Sequence, residues 1–184
     1  MSAAAGAVLL IGAGRMGGAL LRGWIASRAF SSIRVIEPAP SPGLLRMAEE
    51  KSVALMTHAG EAMQDAAVVV LAVKPQVLKA SAGMLEALGR ANALFVSIAA
   101  GVTTEFLSRH LGKGARIVRA MPNTPGAIGK GITVLYGDSA LSASDRGKAE
   151  TAMAALGQTL WIGDESLMDA VTAVSGSGPA YIFL

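Results

Sequence analysis

The sequence predicts an α/β fold, a doubly wound and mostly parallel sheet, followed by the beginning of a helical part. Three observations predict it. Val8-Leu9-Leu10-Ile11 is a short, uncharged apolar run of the kind a strand buried on both faces requires. It leads directly into Gly12-Ala13-Gly14-Arg15-Met16-Gly17 and then into a helical pattern from Met16 to Arg28, with Met16, Ala19, Leu20, Gly23 and Trp24 on one face. Strand and helix patterns then alternate along the rest of the chain.

A strand, a G-x-G-x-x-G turn and a helix in that order define a Rossmann-like dinucleotide site. Gly12 lets the chain turn sharply. Gly14, without a side chain, lets a pyrophosphate approach the backbone, and Gly17 lets the helix pack closely on the strand. The helix then turns its free N–H groups and the positive end of its dipole toward the phosphates. Ile11, Gly12, Ala13, Gly14, Arg15, Met16 and Gly17 are therefore cofactor-binding candidates, with Arg15 placed for a charge-assisted contact. A strand-to-helix turn that binds nothing has the same spacing, so the flanking pattern and the next acidic residue carry the weight.

That residue is Glu37, at the end of the second strand pattern, Ile33-Arg34-Val35-Ile36. A carboxylate there accepts hydrogen bonds from the adenosine ribose and repels a 2′-phosphate, so NAD(P)H is the expected cofactor with NADH favoured. The bland alternative for Glu37 is a solvated carboxylate at a strand end.

Composition narrows the function class. Of 184 residues, 52% are hydrophobic and 16% charged, which suits a sheet covered on both faces. Aromatics are only 4%, so aliphatic side chains and Met must fill the core. The sequence has no cysteine, which excludes disulfides, thiolate catalysis and Cys-type zinc sites. The net charge of +3 comes from basic residues spread along the chain rather than clustered. No nucleic-acid partner is expected, while mild basicity suits an anionic cofactor and substrate. No apolar run is long enough for a membrane span and the first residues lack a signal peptide's basic flank, so a cytoplasmic protein is expected.

Taken in order, Pro38 to Gly43 is a proline-rich loop, Leu44 to Lys51 a helix and Val53 to Met56 a strand. Glu61 to Asp65 suggests one helical turn. Ala66 to Val73 is the strongest strand signal, ending at Lys74-Pro75-Gln76, with a helix from Pro75 to Gly89. Leu94 to Ile98 is a strand, and a helix from Thr103 reaches Leu111. The strand Arg116 to Met121 ends in a turn cluster, Pro122-Asn123-Thr124-Pro125-Gly126. Gly131 to Tyr136 is a strand. Ser142 and Asp145 have capping-box spacing for a helix reaching Leu156. Gln158 to Ile162 is the last strand. Leu167 to Val174 reads as helical, Ser175 to Pro179 as a break, and Pro179 to Leu184 as the start of another helix. That last segment reads as a severed second domain or as a segment that docks elsewhere.

Five peptides together resemble one family. They are Gly12 to Gly17, Ala72-Val73-Lys74-Pro75-Gln76, Val96 to Thr103, Arg119-Ala120-Met121-Pro122-Asn123-Thr124-Pro125, and Val174-Ser175-Gly176-Ser177-Gly178-Pro179-Ala180-Tyr181. In this order the sequence is similar to pyrroline-5-carboxylate reductases, and the likeness runs over almost the whole chain. The resemblance implies hydride transfer from NAD(P)H to the C=N bond of 1-pyrroline-5-carboxylate, giving L-proline. It implies that Ala72, Val73, Lys74, Pro75, Ile98, Ala99 and Ala100 contact the cofactor near its nicotinamide half. It also implies a homo-oligomer built by an all-α dimerisation domain, whose glycine-threonine-threonine segment holds substrate across the interface. This chain stops within the first residues of that domain. The expected organisation is a cofactor domain over 1–163 and the start of a truncated helical domain over 164–184.

No catalytic residue stands out. Imine reduction needs little acid–base machinery, because a protonated imine is already electrophilic. Lys74, Asn123 and Thr124 are the weak candidates. A cationic lysine beside an iminium is repulsive, so Lys74 suits ribose, phosphate or a substrate carboxylate better; a loop pairing is the plain alternative. Asn123 and Thr124 offer neutral hydrogen bonds, or simply form a turn. Ser97 is a strand-end hydroxyl near the cofactor, and helix capping explains Ser177. His58 and His110 lie apart from every motif, so no metal site is expected. Two other functions remain open: a β-hydroxyacid-type NAD(P)-dependent dehydrogenase, or a nucleotide-binding fragment without activity.

Overall fold

A computed structural model describes residues 5–58, 65–138 and 140–177. Eight strands form one sheet in the order β3-β2-β1-β4-β5-β6-β7-β8. They are β1 Ala5–Ile11, β2 Phe30–Ile36, β3 Ala54–Met56, β4 Val68–Leu71, β5 Leu94–Ser97, β6 Arg116–Pro122, β7 Gly131–Gly137 and β8 Gly157–Trp161. Every neighbouring pair is parallel except β6 with β7. The doubly wound, mostly parallel sheet expected from the sequence is therefore present. The strand order reverses between β1 and β4, and ligands of such sheets bind at that reversal.

Alternation along the strands divides the core. Val8, Leu10, Val68, Val70, Leu94 and Val96 point to one face, where they pack with Leu20 and Trp24 of α1 (Arg15–Ser27) and Met153 of α6 (Ala143–Met153). Leu9, Ile11, Val69, Leu71 and Phe95 point to the other face. There they meet Leu78 of α3 (Pro75–Ala80), Leu85 of α4 (Ala82–Leu88) and Leu107 of α5 (Thr104–Leu111). Trp24 is fully buried, donates its indole N–H to the Ala152 carbonyl at 2.7 Å and meets Phe30 edge-on at 5.3 Å. This locks α1 to the end of α6.

Several boundaries differ from the sequence reading. The helix expected from Pro75 to Gly89 is two helices, because Ser81 takes φ −102°, ψ 38° and its hydroxyl bonds the Val77 carbonyl at 2.7 Å. The proline-rich loop is shorter than expected. Helix α2 (Pro42–Lys51) begins inside it, with Pro42 in the first turn and the Ser41 hydroxyl accepting from the Leu44 N–H at 3.2 Å. Strand β6 runs through Pro122, and the expected turn cluster is a 3₁₀ helix over Thr124–Ile128. The helix expected to Leu156 ends as a 3₁₀ turn over Ala154–Leu156. The helix expected at 167–174 is α7 (Leu167–Val171), continuing as a π-helix over Thr172–Ser177 in place of the expected break. The turn at Glu61 to Asp65 falls largely, and the helix from Pro179 wholly, outside the described residues. Among the described residues, no helix is long and apolar enough to cross a membrane.

Candidate functional site

The carboxyl ends of β1, β2, β4 and β5 assemble a continuous rim. Gly12 N–H donates to the Ile36 carbonyl at 2.9 Å, Ala72 N–H to Ile11 at 2.8 Å, and Ile98 N–H to Leu71 at 3.1 Å. These bonds set the glycine turn, Glu37, Ala72-Val73 and Ile98 side by side. The first-turn N–H groups of α1 open onto this rim, and no side chain caps them.

The three glycines are glycine for different reasons. Gly12 has φ +90°, and a Cβ there would lie 2.8 Å from Val73 Cγ1 and 2.9 Å from the Ala72 carbonyl oxygen. A Cβ on Gly17 would run into the Gly12 carbonyl oxygen. Gly14 has neither constraint: its φ is −64°, and a Cβ there would meet nothing within 4 Å. Among the described residues, nothing in the packing demands glycine at 14. Gly14 is the N-cap of α1 and the space around its Cβ position is open, so the residues present fit a ligand that presses phosphate against the backbone.

Glu37 closes the rim on the β2 side. Its Oε2 accepts the Ala13 N–H at 2.8 Å and its Oε1 the Ala39 N–H at 3.2 Å. The carboxylate thus stands against the glycine turn, not out in solvent. Each oxygen keeps a second lone pair, enough to accept from vicinal hydroxyls. On the other side, Ser97 is buried and its hydroxyl accepts the Ala99 N–H at 3.3 Å, shaping the turn that carries Ala99, Ala100 and Gly101 (φ +66°). Lys74 is exposed and immediately precedes α3.

Asn123 and Thr124 lie on the same rim but beyond β5, at the end of β6. Asn123 Oδ1 accepts the Ile132 N–H at 3.0 Å, which commits that oxygen to the 3₁₀ turn and β7. Thr124 is exposed at the start of the 3₁₀ helix. The side chains of Ser175 and Ser177 are outside what is described. His58 pairs with Thr57 at 3.2 Å, and the His110 ring meets Phe106 at a tilt, centroids 4.7 Å apart. Among the described residues, no three His, Asp or Glu side chains gather as metal ligands would.

One cluster escaped the sequence reading. Arg119 is buried within β6, beside Ser97 in the register. Its Nη1 reaches Glu165 Oε1 at 2.8 Å. The same carboxylate accepts the Thr104 N–H at 2.8 Å and the Thr104 hydroxyl at 2.6 Å. A signal was available: an arginine in the apolar run Ile117 to Met121 needs a carboxylate partner. Which carboxylate was not legible.

Burial alone would raise the pKa of Glu165. The Thr104 hydroxyl and N–H and the Arg119 guanidinium outweigh it and hold the group below its ordinary 4.5. Asp145 behaves likewise: the Ser142 hydrogen bonds and the Arg116 charge overcome burial and hold it below 3.8. Ser142 and Asp145 form the capping pair expected from their spacing, with Ser142 Oγ accepting the Asp145 N–H at 3.1 Å. Carboxylates with depressed folded-state pKa values add stability that is complete above their unfolded values. It is lost as pH falls through the folded ones. From these two groups the melting temperature is expected to hold level between about pH 5 and neutrality and to fall as pH drops through the ordinary carboxylate range and below. Thermal melts across pH check this, and Glu165→Gln should flatten the acid limb.

A cleft of 880 Å³ opens at the amino ends of the strands, lined by Ile25, Phe30, Ile33 and Met47 with Arg22, Arg28 and Lys51. None of the candidate site residues lines it. Arg28 and Lys51 sit beside the carbonyl ends of α1 and α2, which accounts for their charge.

The fold and rim together define a dinucleotide-binding oxidoreductase domain. The family model described as NADP oxidoreductase, coenzyme F420-dependent, matches residues 7–101, and the chain belongs to that family. Its similarity to individual proteins is narrower. It is 40% identical over 178 residues to the pyrroline-5-carboxylate reductase of Pseudomonas aeruginosa, covering 96% of this chain and 65% of the relative. The structure of a Coxiella burnetii pyrroline-5-carboxylate reductase superposes with a TM-score of 0.86 at 35% identity, over 96% of this chain and 66% of that one. The Plasmodium falciparum pyrroline carboxylate reductase, solved with NADP bound, superposes at 0.80 with 25% identity, over 96% and 64%. This chain spans about two thirds of the length of these proteins. The resemblance read from five peptides thus extends across the chain.

Proposed function

We propose that this chain is the cofactor-binding part of a pyrroline-5-carboxylate reductase, reducing the C=N bond of 1-pyrroline-5-carboxylate to L-proline with NAD(P)H. The observation that carries the reading is Gly14, a glycine with negative φ and open space where its Cβ would be, at the switch point of a sheet similar to those reductases. In this reading Glu37 accepts the adenosine ribose hydroxyls. The turn Gly12 to Gly17 takes the pyrophosphate, and Ala72 to Pro75 with Ile98 to Ala100 flank the nicotinamide. When bound, the nicotinamide supplies the hydride. The chain's own residues orient the ring and hold the two reacting carbons together. The imine nitrogen takes its proton from solvent before hydride arrives, since the Asn123 amide is too weak an acid to supply it and a Lys74 ammonium would repel the iminium.

Residues 1–163 form the NAD(P)-binding unit in this reading. Residues 164–184 begin a helical domain through which the family assembles homo-oligomers, and the protein works in the cytoplasm. The test is cofactor oxidation on addition of 1-pyrroline-5-carboxylate. L-proline formed one for one with oxidised cofactor is the expected result. Turnover of a 3-hydroxyacid in place of the imine would overturn the substrate assignment.

Glu37 gives a separate prediction. Glu37→Ala removes the ribose acceptor and the charge that repels a 2′-phosphate, so the ratio of NADPH to NADH dissociation constants should fall several-fold. An unchanged ratio removes Glu37 from cofactor selection.

A further inference from the structure

Glu165 joins parts of the chain that the sequence keeps far apart. Its carboxylate holds Thr104, 61 residues away, and Arg119, 46 residues away. Thr104 opens α5, and the residues just before it form the turn assigned above to the nicotinamide half. Helix α5 already has its own cap, because the Thr103 hydroxyl accepts the Phe106 N–H at 3.1 Å. A second acceptor at that helix end is not needed to start the helix. It fixes where the turn 98–103 sits.

The carboxylate is itself firmly mounted. Arg119 is buried in β6 beside Ser97, so it references Glu165 to the strand from which the turn departs. On the chain side, the Glu165 carbonyl accepts the Met168 N–H at 3.0 Å, and Met168 is 1% exposed. The carboxylate is thus tied to β6 and its backbone to the buried first turn of α7, as a group that positions another must be held.

We propose that Glu165 is a positioning residue for the nicotinamide half of the dinucleotide. It pins the turn 98–103 through Thr104 and leaves the adenine half, held by Glu37 and the glycine turn, untouched. This rests on the cofactor reading given under Proposed function.

The test compares two ligands on the same protein: the tighter of NADH and NADPH, and ADP-ribose or its 2′-phosphate, which lacks the nicotinamide. Glu165→Gln keeps the size of the side chain but sets an amide N–H against the Thr104 or Arg119 donors. It should weaken the dinucleotide about tenfold and leave the fragment within about twofold. Thr104→Val, which removes one donor and keeps the backbone N–H, should show a smaller loss in the same sense. It carries the comparison if Glu165→Gln fails to fold. Equal weakening of both ligands, or no change in either, would overturn the proposal. Binding of neither ligand by the unaltered chain would instead overturn the cofactor reading, and the proposal with it.

Discussion

Gly14→Val is expected to abolish dinucleotide binding while the chain stays folded. The added side chain enters open space, since among the described residues a Cβ at this position has no neighbour within 4 Å, and φ of −64° suits any residue. The cost to folding is that of a poorer helix N-cap, about 1 kcal/mol or less. The cost to binding is far larger, because the isopropyl group occupies the space through which phosphate reaches the backbone N–H groups. A loss of at least about 100-fold in affinity, roughly 2.7 kcal/mol, follows. Isothermal titration with NADPH and a thermal melt on the same sample check both halves. Retained affinity would mean that the pyrophosphate lies elsewhere.

Three residues on, Gly17→Ala should do the reverse. Its Cβ would collide with the Gly12 carbonyl oxygen, a backbone atom that cannot swing aside, and would crowd Ala72 Cβ at 3.3 Å. Helix α1 must move off the turn, which costs about 3 kcal/mol, the upper part of the overpacking range. For a chain of this size that lowers the melting temperature by roughly 10 °C. A melt within a degree or two of the unaltered chain would show that α1 slides without penalty. Two glycines in one motif thus have separable duties, one toward the ligand and one toward the fold.

The glycine turn was legible because its requirements are local. The strand before it is an apolar run, the helix after it has one apolar face, and the conformation at Gly12 excludes side chains. The sheet class was legible for a similar reason: Ala66 to Val73 and Leu94 to Ile98 are runs with both faces apolar. The break at Ser81 was not legible, because Leu78, Leu85 and Leu88 keep helical spacing across it and both short helices bury the same face. The role of Asn123 was hidden as well. Its position in Pro-Asn-Thr-Pro suited either a turn or a ligand, and only the pairing with Ile132 shows what its oxygen does. The Glu165 cluster was least accessible. Arg119 advertised the need for a counter-charge, but the partner arrives from beyond β8 through tertiary folding alone.

The central claim is that one dinucleotide lies across the carboxyl ends of β2, β1, β4 and β5. Amide hydrogen exchange with and without NADPH tests it most directly. The predicted result is added protection in three separate segments at once, 12–17, 72–75 and 98–100, with none around Arg28 and Lys51 at the opposite end of the sheet. Protection confined to that opposite cleft, or none in any of the three segments, would contradict it.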